Sequence, residues 1–280
     1  MWKQKIGFSL GNNYTLPTHQ VIGLLSETGF DAVSPVWDRE VDMAAIAAQA
    51  RQCGLEIQSI HAPTDRIPDL WSADGERSSA AQAQLLEVLD ACRDLGVPVL
   101  VVHAWDGFDY TLGSIPQGLE SYSLLAERAK ALGIRLAIEN LEGEQFLFAL
   151  MAHFEGNDTV GFCWDSGHEL CYNQPHDLLG MFGDRLFMTH INDNLGVSRF
   201  DGRIWWTDDL HLLPYDGIAD WDRNILRLRA ARKQDILNFE VKPFSQKGRH
   251  EGDGYAEMPP ALYLAEAYKR ACRIAYRYSL

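Results

Sequence analysis

The stretch YSLLAERAKALGIRLAIEN, residues 122–140, holds in miniature the plan of the whole chain. Its first part places Tyr122, Leu125, Ala126 and Ala129 at i, i+3, i+4 spacing, the apolar stripe of an amphipathic helix. Gly133 follows, a residue type suited to the position just past a helix C-terminus. IRLAIEN then reads as a short buried strand, and it ends in Glu139 and Asn140 as the chain leaves the core. The same unit recurs along the sequence. Candidate strands are KIGFSL (from Lys5), DAVSP (from Asp31), LEIQSIH (from Leu55), PVLVVHA (from Pro98), IRLAIEN (from Ile134), TVGFCWD (from Thr159), RLFMTHIND (from Arg185) and DILNFEVK (from Asp235). Amphipathic segments such as DMAAIAAQARQC and SSAAQAQLLEVLDACRDLG lie between them, and Gly54 and Gly96 punctuate two of these as Gly133 does. Eight β-then-α units without a linker-like break predict an α/β protein, a single (β/α)8 TIM barrel formed as one domain over residues 1–280. An open doubly wound sheet is the alternative, but SLGNNYTL after the first strand lacks the glycine fingerprint of dinucleotide folds.

Composition narrows the function. The 280 residues are 46% hydrophobic and 23% charged, with a formal net charge of −14, so a polyanionic partner such as nucleic acid is not expected. The basic runs RNILRLRAARK and YKRACRIAYRY have helical spacing and read as solvated outer faces. Cys53, Cys92, Cys163, Cys171 and Cys272 form no CxxC pair and fit reduced thiols. MWKQKIGFSLGNNY turns polar after a short apolar run, and no run approaches the roughly 20 residues of a membrane helix. A cytoplasmic protein without membrane contact is the expectation.

Polar residues recur at the strand ends: His61, His103, Glu139 with Asn140, Asp165, then His190 with Asn192 and Asp193, and finally Glu240 with Lys242. In a barrel these C-terminal ends converge on one face, where active sites are built. Asp165 in GFCWDSGHE (161–169) would by itself be read as a helix N-cap. Imidazoles and carboxylates from six strands change that reading, because carboxylates packed together without a cation raise one another's pKa. A divalent metal held by nitrogen and carboxylate donors resolves the repulsion.

The succession SIHAP, VVHAW, LAIEN, WDSGH, THINDN, DDLHLLPYDG and FEVKP, within about Ile6 to Val241, resembles the xylose isomerase-like TIM-barrel superfamily. That group holds sugar and sugar-phosphate isomerases and epimerases, inosose dehydratases and endonuclease IV-type apurinic endonucleases. The resemblance to its ketose epimerases implies one divalent ion (Mn, Zn, Co, Fe or Mg) on Glu139, Asp165, His190 and Glu240. The resemblance to its endonucleases adds His61, His103, His168, Asp209 and His211 as further metal ligands or substrate contacts, and so the option of more than one ion. Glu139 and Glu240 are the expected acid–base pair, moving a proton next to a carbonyl through an enediolate. The loops of the mouth are aromatic and acidic. Trp105, Trp205, Trp206 and Lys242, with Trp71, Phe108 and Tyr110 nearby, are expected to wall a pocket for a small sugar or polyol, although some of these rings will pack the loops onto the barrel. A dehydratase of inosose type and, less favoured by the acidic charge, a multi-metal phosphodiesterase are the alternatives. A barrel that only binds sugar is disfavoured by the intact pair of glutamates. Oligomeric state, a homo-oligomer included, stays open.

Overall fold

The computed structural model describes residues 4–11, 16–199 and 201–280. Strand β1 (Lys5–Leu10) precedes α1 (Thr18–Thr28), and β2 (Ala32–Pro35) precedes α2 (Met43–Gln52). The third strand comes in two pieces, β3 (Glu56–Ile57) and β4 (Ile60–His61), before α3 (Gly75–Leu95). Then follow β5 (Val99–His103) with α4 (Ile115–Leu132), and β6 (Arg135–Glu139) with α5 (Glu144–His153). β7 (Val160–Asp165) leads to α6 (Ser166–Tyr172) and α7 (Leu178–Phe182), and β8 (Leu186–His190) to α8 (Trp221–Ala230). Last come β9 (Ile236–Phe239), α9 (Asp253–Ala256) and α10 (Pro260–Ser279).

Every strand pairing is parallel, in the orders β3-β2-β1-β9 and β4-β5-β6-β7-β8. Two parallel bridges close the seams, Val36 with His61 and Ile191 with Phe239. Each is fastened by a backbone bond of 2.9 Å, Trp37 N–H to the His61 carbonyl and Ile191 N–H to that of Asn238. The ring is therefore the (β/α)8 barrel that the repeating unit predicts. The expected third strand is interrupted because its halves serve different neighbours: Glu56–Ile57 pairs with β2, and Ile60–His61 with β5.

The two-residue period of a strand sorts side chains between the helices and the barrel interior. Leu136, Ile138, Leu100, Val102, Phe162 and Trp164 join the large core under the helices. Val99, Val101, Ala137, Cys163, Phe187 and Met188 fill the interior as a separate buried cluster. His103, Glu139, Asp165 and His190 continue those inward rows at the C-terminal ends, so alternation alone aims them at one mouth. Helix ends behave as the sequence suggests: Gly133 caps α4 in the left-handed region at φ 71°, its N–H bonded to Ala129 and Lys130. Asp42, Asp74 and Asp220 accept backbone N–H bonds at the starts of α2, α3 and α8.

The basic runs are less solvated than expected. Arg227 on α8 pairs with Glu169 and Asp177 at 2.5 Å each, and Arg270 on α10 with Asp216 at 2.6 Å and Glu266 at 2.8 Å. Those guanidiniums hold helices and loops together. The five cysteines are free thiols. Among the described residues no helix is long and apolar enough to cross a membrane.

Candidate active site

The barrel mouth opens into a cavity of about 530 Å³, whose lining includes His61, His103, Glu139, His168, Asp209, His211, Glu240 and Lys242. Asp165 and His190 are fully buried beneath it. All nine ligand-type positions expected from the sequence are thus gathered at one place. Ligand atoms of Glu139, Asp165, His190 and Glu240 lie within 4.8 Å of one another. Within the same limit lie His61, His103 and Glu139, and again His168, Asp209 and His211.

The hydrogen bonding tests whether this donor set suits a cation. His190 Nδ1 lies 2.8 Å from Glu139 Oε1 and 2.7 Å from Glu240 Oε2. One ring nitrogen carries at most one proton, so it cannot donate to both carboxylates. A divalent ion among these atoms satisfies all of them at once. Three other imidazoles share a single arrangement. Nδ1 of His61 faces the Ala62 carbonyl at 2.7 Å, that of His168 the Asn140 carbonyl at 2.9 Å, and that of His211 the Glu240 carbonyl at 3.1 Å. A carbonyl only accepts, so each Nδ1 carries a proton; each Nε2 is then free to donate a second proton to a carboxylate or, with a cation bound, to offer it a lone pair. Those Nε2 atoms point at carboxylates: His61 at Glu139 (3.1 Å), His211 at Asp209 (2.9 Å) and His168 at Asp209 Oδ1 (3.4 Å). His168 Nε2 and Asp209 Oδ1 are buried, and neither has a directed hydrogen bond. Imidazoles fixed by a backbone acceptor on one nitrogen and open on the other are how proteins hold metal ligands. The residues fit a bound cation, and their number leaves room for more than one.

Electrostatics say the same. Burial alone would raise the Glu139 carboxyl, but His190, His61 and His103 around it hold it well below the usual carboxylate range. Glu240 is likewise pushed down by His190 and His211 against its burial. Asp165 goes the other way, raised by burial and by the Glu139 and Glu240 charges despite His168 and His211. His190 and His168 are lifted well above an ordinary histidine against the cost of burial, His190 by Cys163, Glu139 and Glu240, and His168 by Asp165, Asp209 and Glu139. A site whose carboxylates depend on imidazolium neighbours is a site built around positive charge.

Asp165 is a cap as well as a candidate ligand. Its Oδ1 accepts the His168 N–H at 2.7 Å, opening α6, while Oδ2 accepts Asn192 Nδ2 at 2.8 Å. Asn140 brackets its backbone, taking the Asp165 N–H at 2.8 Å and donating to the Asp165 carbonyl at 2.9 Å. Asn192 can approach only because residue 167 is glycine: a Cβ there would stand 1.9 Å from Asn192 Oδ1.

Asp193, also at a strand end, does not face the cavity. Its two oxygens accept the N–H groups of Asn194, Tyr215 and Ala219 and the Trp221 indole N–H at 2.8–3.0 Å. It organises the loop that carries Asp209 and His211. His211 sits in that loop at φ 48°, an uncommon backbone for a side chain of its shape, clasped by the Lys242 N–H on its carbonyl.

The aromatic wall needs correction. Trp105 is not part of it: the ring is buried, stacked on Phe146 at 4.1 Å and 12°, with its N–H on the Gly107 carbonyl. Trp71 is buried against Phe146 and Tyr122. Both rings anchor loops, the option the sequence left beside the pocket reading. Phe108, Tyr172 and Trp206 do line the cavity, and Trp205 backs Phe108 as a stack at 5.0 Å. Lys242 lines it too, with Nζ 3.8 Å from Asp209. Two acids absent from the expected set also face in, Asp106 and Glu142. Burial raises the Glu142 carboxyl to about 6, although the Gly107 N–H bonds to it. They lie one loop residue or more beyond the strand ends, where no periodic pattern flags them; only their number in AWDGFDY and ENLEGE gave a signal.

A family model described as the xylose isomerase-like TIM barrel matches residues 22–264, and the chain belongs to that family. An uncharacterised protein, y4fM of Sinorhizobium fredii (strain NBRC 101917 / NGR234), is 27% identical over 261 residues, covering 79% of each chain. Solved structures share the fold at low identity. The IolI protein with a bound zinc atom superposes with a TM-score of 0.76 at 16% identity, over 98% of this chain and 99% of that one. L-ribulose 3-epimerase gives 0.72 at 17% identity, over 99% and 96%. A xylose isomerase-like TIM barrel/4-hydroxyphenylpyruvate dioxygenase fusion protein gives 0.73 at 16% identity; this chain is covered to 96% but spans only 42% of the fusion.

Proposed function

We propose that the chain is a divalent-metal-dependent sugar or sugar-phosphate isomerase or epimerase that moves a proton at a carbon next to a carbonyl. In this reading Glu139, Asp165, His190 and Glu240 hold the metal, and Glu139 and Glu240 are the acid–base pair. The observation that carries it is the meeting of those two glutamates at one His190 nitrogen, on the floor of a cavity of sugar size. Relatives of the same fold include a zinc-binding protein and a ketose epimerase, which supports both the metal and the substrate class.

The metal, when bound, supplies Lewis-acid stabilisation of the negative charge that develops as the proton leaves. The chain supplies the rest. Glu139 lies beneath imidazoles that keep it ionised, while the Glu240 side chain retains 21% exposure toward the cavity. Glu240 is therefore the group whose proton exchanges with solvent more readily. Two groups working from different sides of the carbon invert it; one group doing both transfers gives aldose–ketose exchange. Loss of a β-hydroxyl after the same proton abstraction would be the dehydratase outcome. Asp165, held by Asn192, and His190 beneath the cavity keep the ligand set in place. The protein is assigned to the cytoplasm as one barrel domain.

Turnover of a ketose and keto-polyol panel in D₂O tests the reading. The expected result is deuterium at the carbon beside the carbonyl, lost in Glu139→Gln and Glu240→Gln. A metal-loaded protein that exchanges no proton in any member refutes it.

The convergence of His61, His103, His168, Asp209 and His211 favours a second reading, multi-metal phosphodiester hydrolysis. Against it, Lys242 is the one lysine in the lining, and among the described residues no arginine joins it, so a grip on a phosphate backbone is missing. Efficient metal-dependent incision of an abasic-site duplex would promote this reading over the first.

A further inference from the structure

We propose that the cavity selects a neutral, unphosphorylated polyhydroxyl substrate, with Glu142 as a specificity-determining contact aided by Asp106. This rests on the isomerase or epimerase reading and narrows its substrate class.

The charge of the cavity is lopsided. Asp106, Glu139, Glu142, Asp209 and Glu240 line it, Asp165 lies beneath, and among the described lining residues Lys242 is the one lysine or arginine facing them. That lysine is already engaged, 3.8 Å from Asp209. One divalent ion leaves the site net negative when the imidazoles are neutral. A phosphate monoester would carry close to two further negative charges into this space and find neither an arginine nor an uncommitted lysine in the lining. Phosphate sites are built from guanidinium forks, lysines or helix N-termini. Among the described lining residues there is no guanidinium and no uncommitted lysine, and the first turn of α6 at the cavity floor is already capped by the Asp165 carboxylate.

What does line the outer part suits hydroxyl groups. Glu142 is buried, 6% exposed, with Oε1 fixed by the Gly107 N–H, and its carboxylate lines the cavity. Asp106 lies on the same loop as Gly107 and Phe108, with Oδ2 3.7 Å from His103 Nδ1. Carboxylates accept hydrogen bonds strongly, and sugar hydroxyls donate them. Phe108, backed by Trp205, and Trp206 offer ring faces in the same lining. Fixed acceptors beside apolar ring faces match the two sides of a sugar, its hydroxyls and its C–H faces.

The test compares metal-loaded wild type, Glu142→Gln and Asp106→Asn on ketoses and on the same ketoses carrying a terminal phosphate. Deuterium exchange and equilibrium binding by calorimetry are read in parallel, with bound metal measured for every protein. The expected result is that neutral ketoses bind and exchange while their phosphates are at least a hundredfold poorer. Glu142→Gln should raise KM by about tenfold, the value of a hydrogen bond to a charged group, with metal content unchanged. It should also narrow the gap to the phosphates. Preference for the phosphates, no binding of any neutral polyol, or unchanged KM and discrimination in both variants would overturn the proposal. If neutral ketoses bind, phosphates do not and no proton exchanges, the selectivity stands and the isomerase reading falls.

Discussion

Replacing Gly167 by Ala adds one methyl group whose nearest neighbour is Asn192 and not a candidate metal ligand, and should still loosen one of those ligands. The new Cβ would lie 1.9 Å from Asn192 Oδ1 and 2.9 Å from its Cγ. Asn192 is fully buried, so it cannot swing into solvent; it must shift, and its Nδ2 bond to Asp165 Oδ2 is lost. Overpacking of this kind costs about 1–3 kcal/mol. A hydrogen bond to a charged group adds about 1.5–3 kcal/mol. Alanine regains about 1 kcal/mol over glycine within α6. The net loss is therefore about 1.5–5 kcal/mol, and at about 2–4 °C per kcal/mol the Tm should fall by roughly 3–20 °C. Metal affinity should fall by about 10–100-fold, as for other groups that orient a ligand. Thermal unfolding and a calorimetric metal titration measure the two effects. Asn192→Ala should show the same loss of affinity, and adding Gly167→Ala to it should cost nothing further, because the clash partner is gone. Unchanged metal affinity in Gly167→Ala, or full additivity in the double variant, would refute the reasoning.

His190→Ala should abolish stoichiometric divalent metal, measured on the purified protein, because it removes the nitrogen on which Glu139 and Glu240 converge. Glu142→Gln should stabilise metal-free protein above pH 6. The folded carboxyl, raised from 4.5 to about 6 mainly by burial, opposes folding wherever it is ionised. The gain is about 2 kcal/mol at neutral pH and should vanish as pH falls from about 6 through 4.5, read from Tm against pH. Trp105→Ala should cost about 3–5 kcal/mol of stability by emptying a buried site, whereas Trp206→Ala should raise KM with little change in Tm.

The barrel was legible because its period is written in every unit: alternating apolar residues, a polar strand end, an amphipathic helix. The gathering of the candidate ligands at one mouth was legible for the same reason, since alternation that buries Ala137 inward must also aim Glu139 inward. The interruption of the third strand was not, because Leu55–His61 has one composition throughout and only the change of pairing partner separates its halves. Trp71 and Trp105 misled because a tryptophan in a loop has the same local signature whether it faces a ligand or the core; Gly118 marks the difference, since any Cβ there would strike Trp71. Asp193 and Asp165 look alike as acids ending strands. Their roles part only through their surroundings: Asp193 is saturated by backbone N–H groups and the Trp221 indole, whereas Asp165, held by the His168 N–H and Asn192, sits among His168, His211, Glu139 and Glu240.

The Asp193 clasp divides the labour of the longest loop. It ties Asn194, Tyr215, Ala219 and Trp221 to one buried carboxylate, and the antiparallel bridge from Asp193 to Leu212 pins the chain just past His211. The described residues between, 195–199 and 201–207, form an excursion from a closed knot. Trp206 rides on that excursion, while Asp209 and His211 are seated at its foot. Grafting a different excursion between the same endpoints is thus a way to change what the barrel accepts while the residues proposed to hold a cation stay as they are.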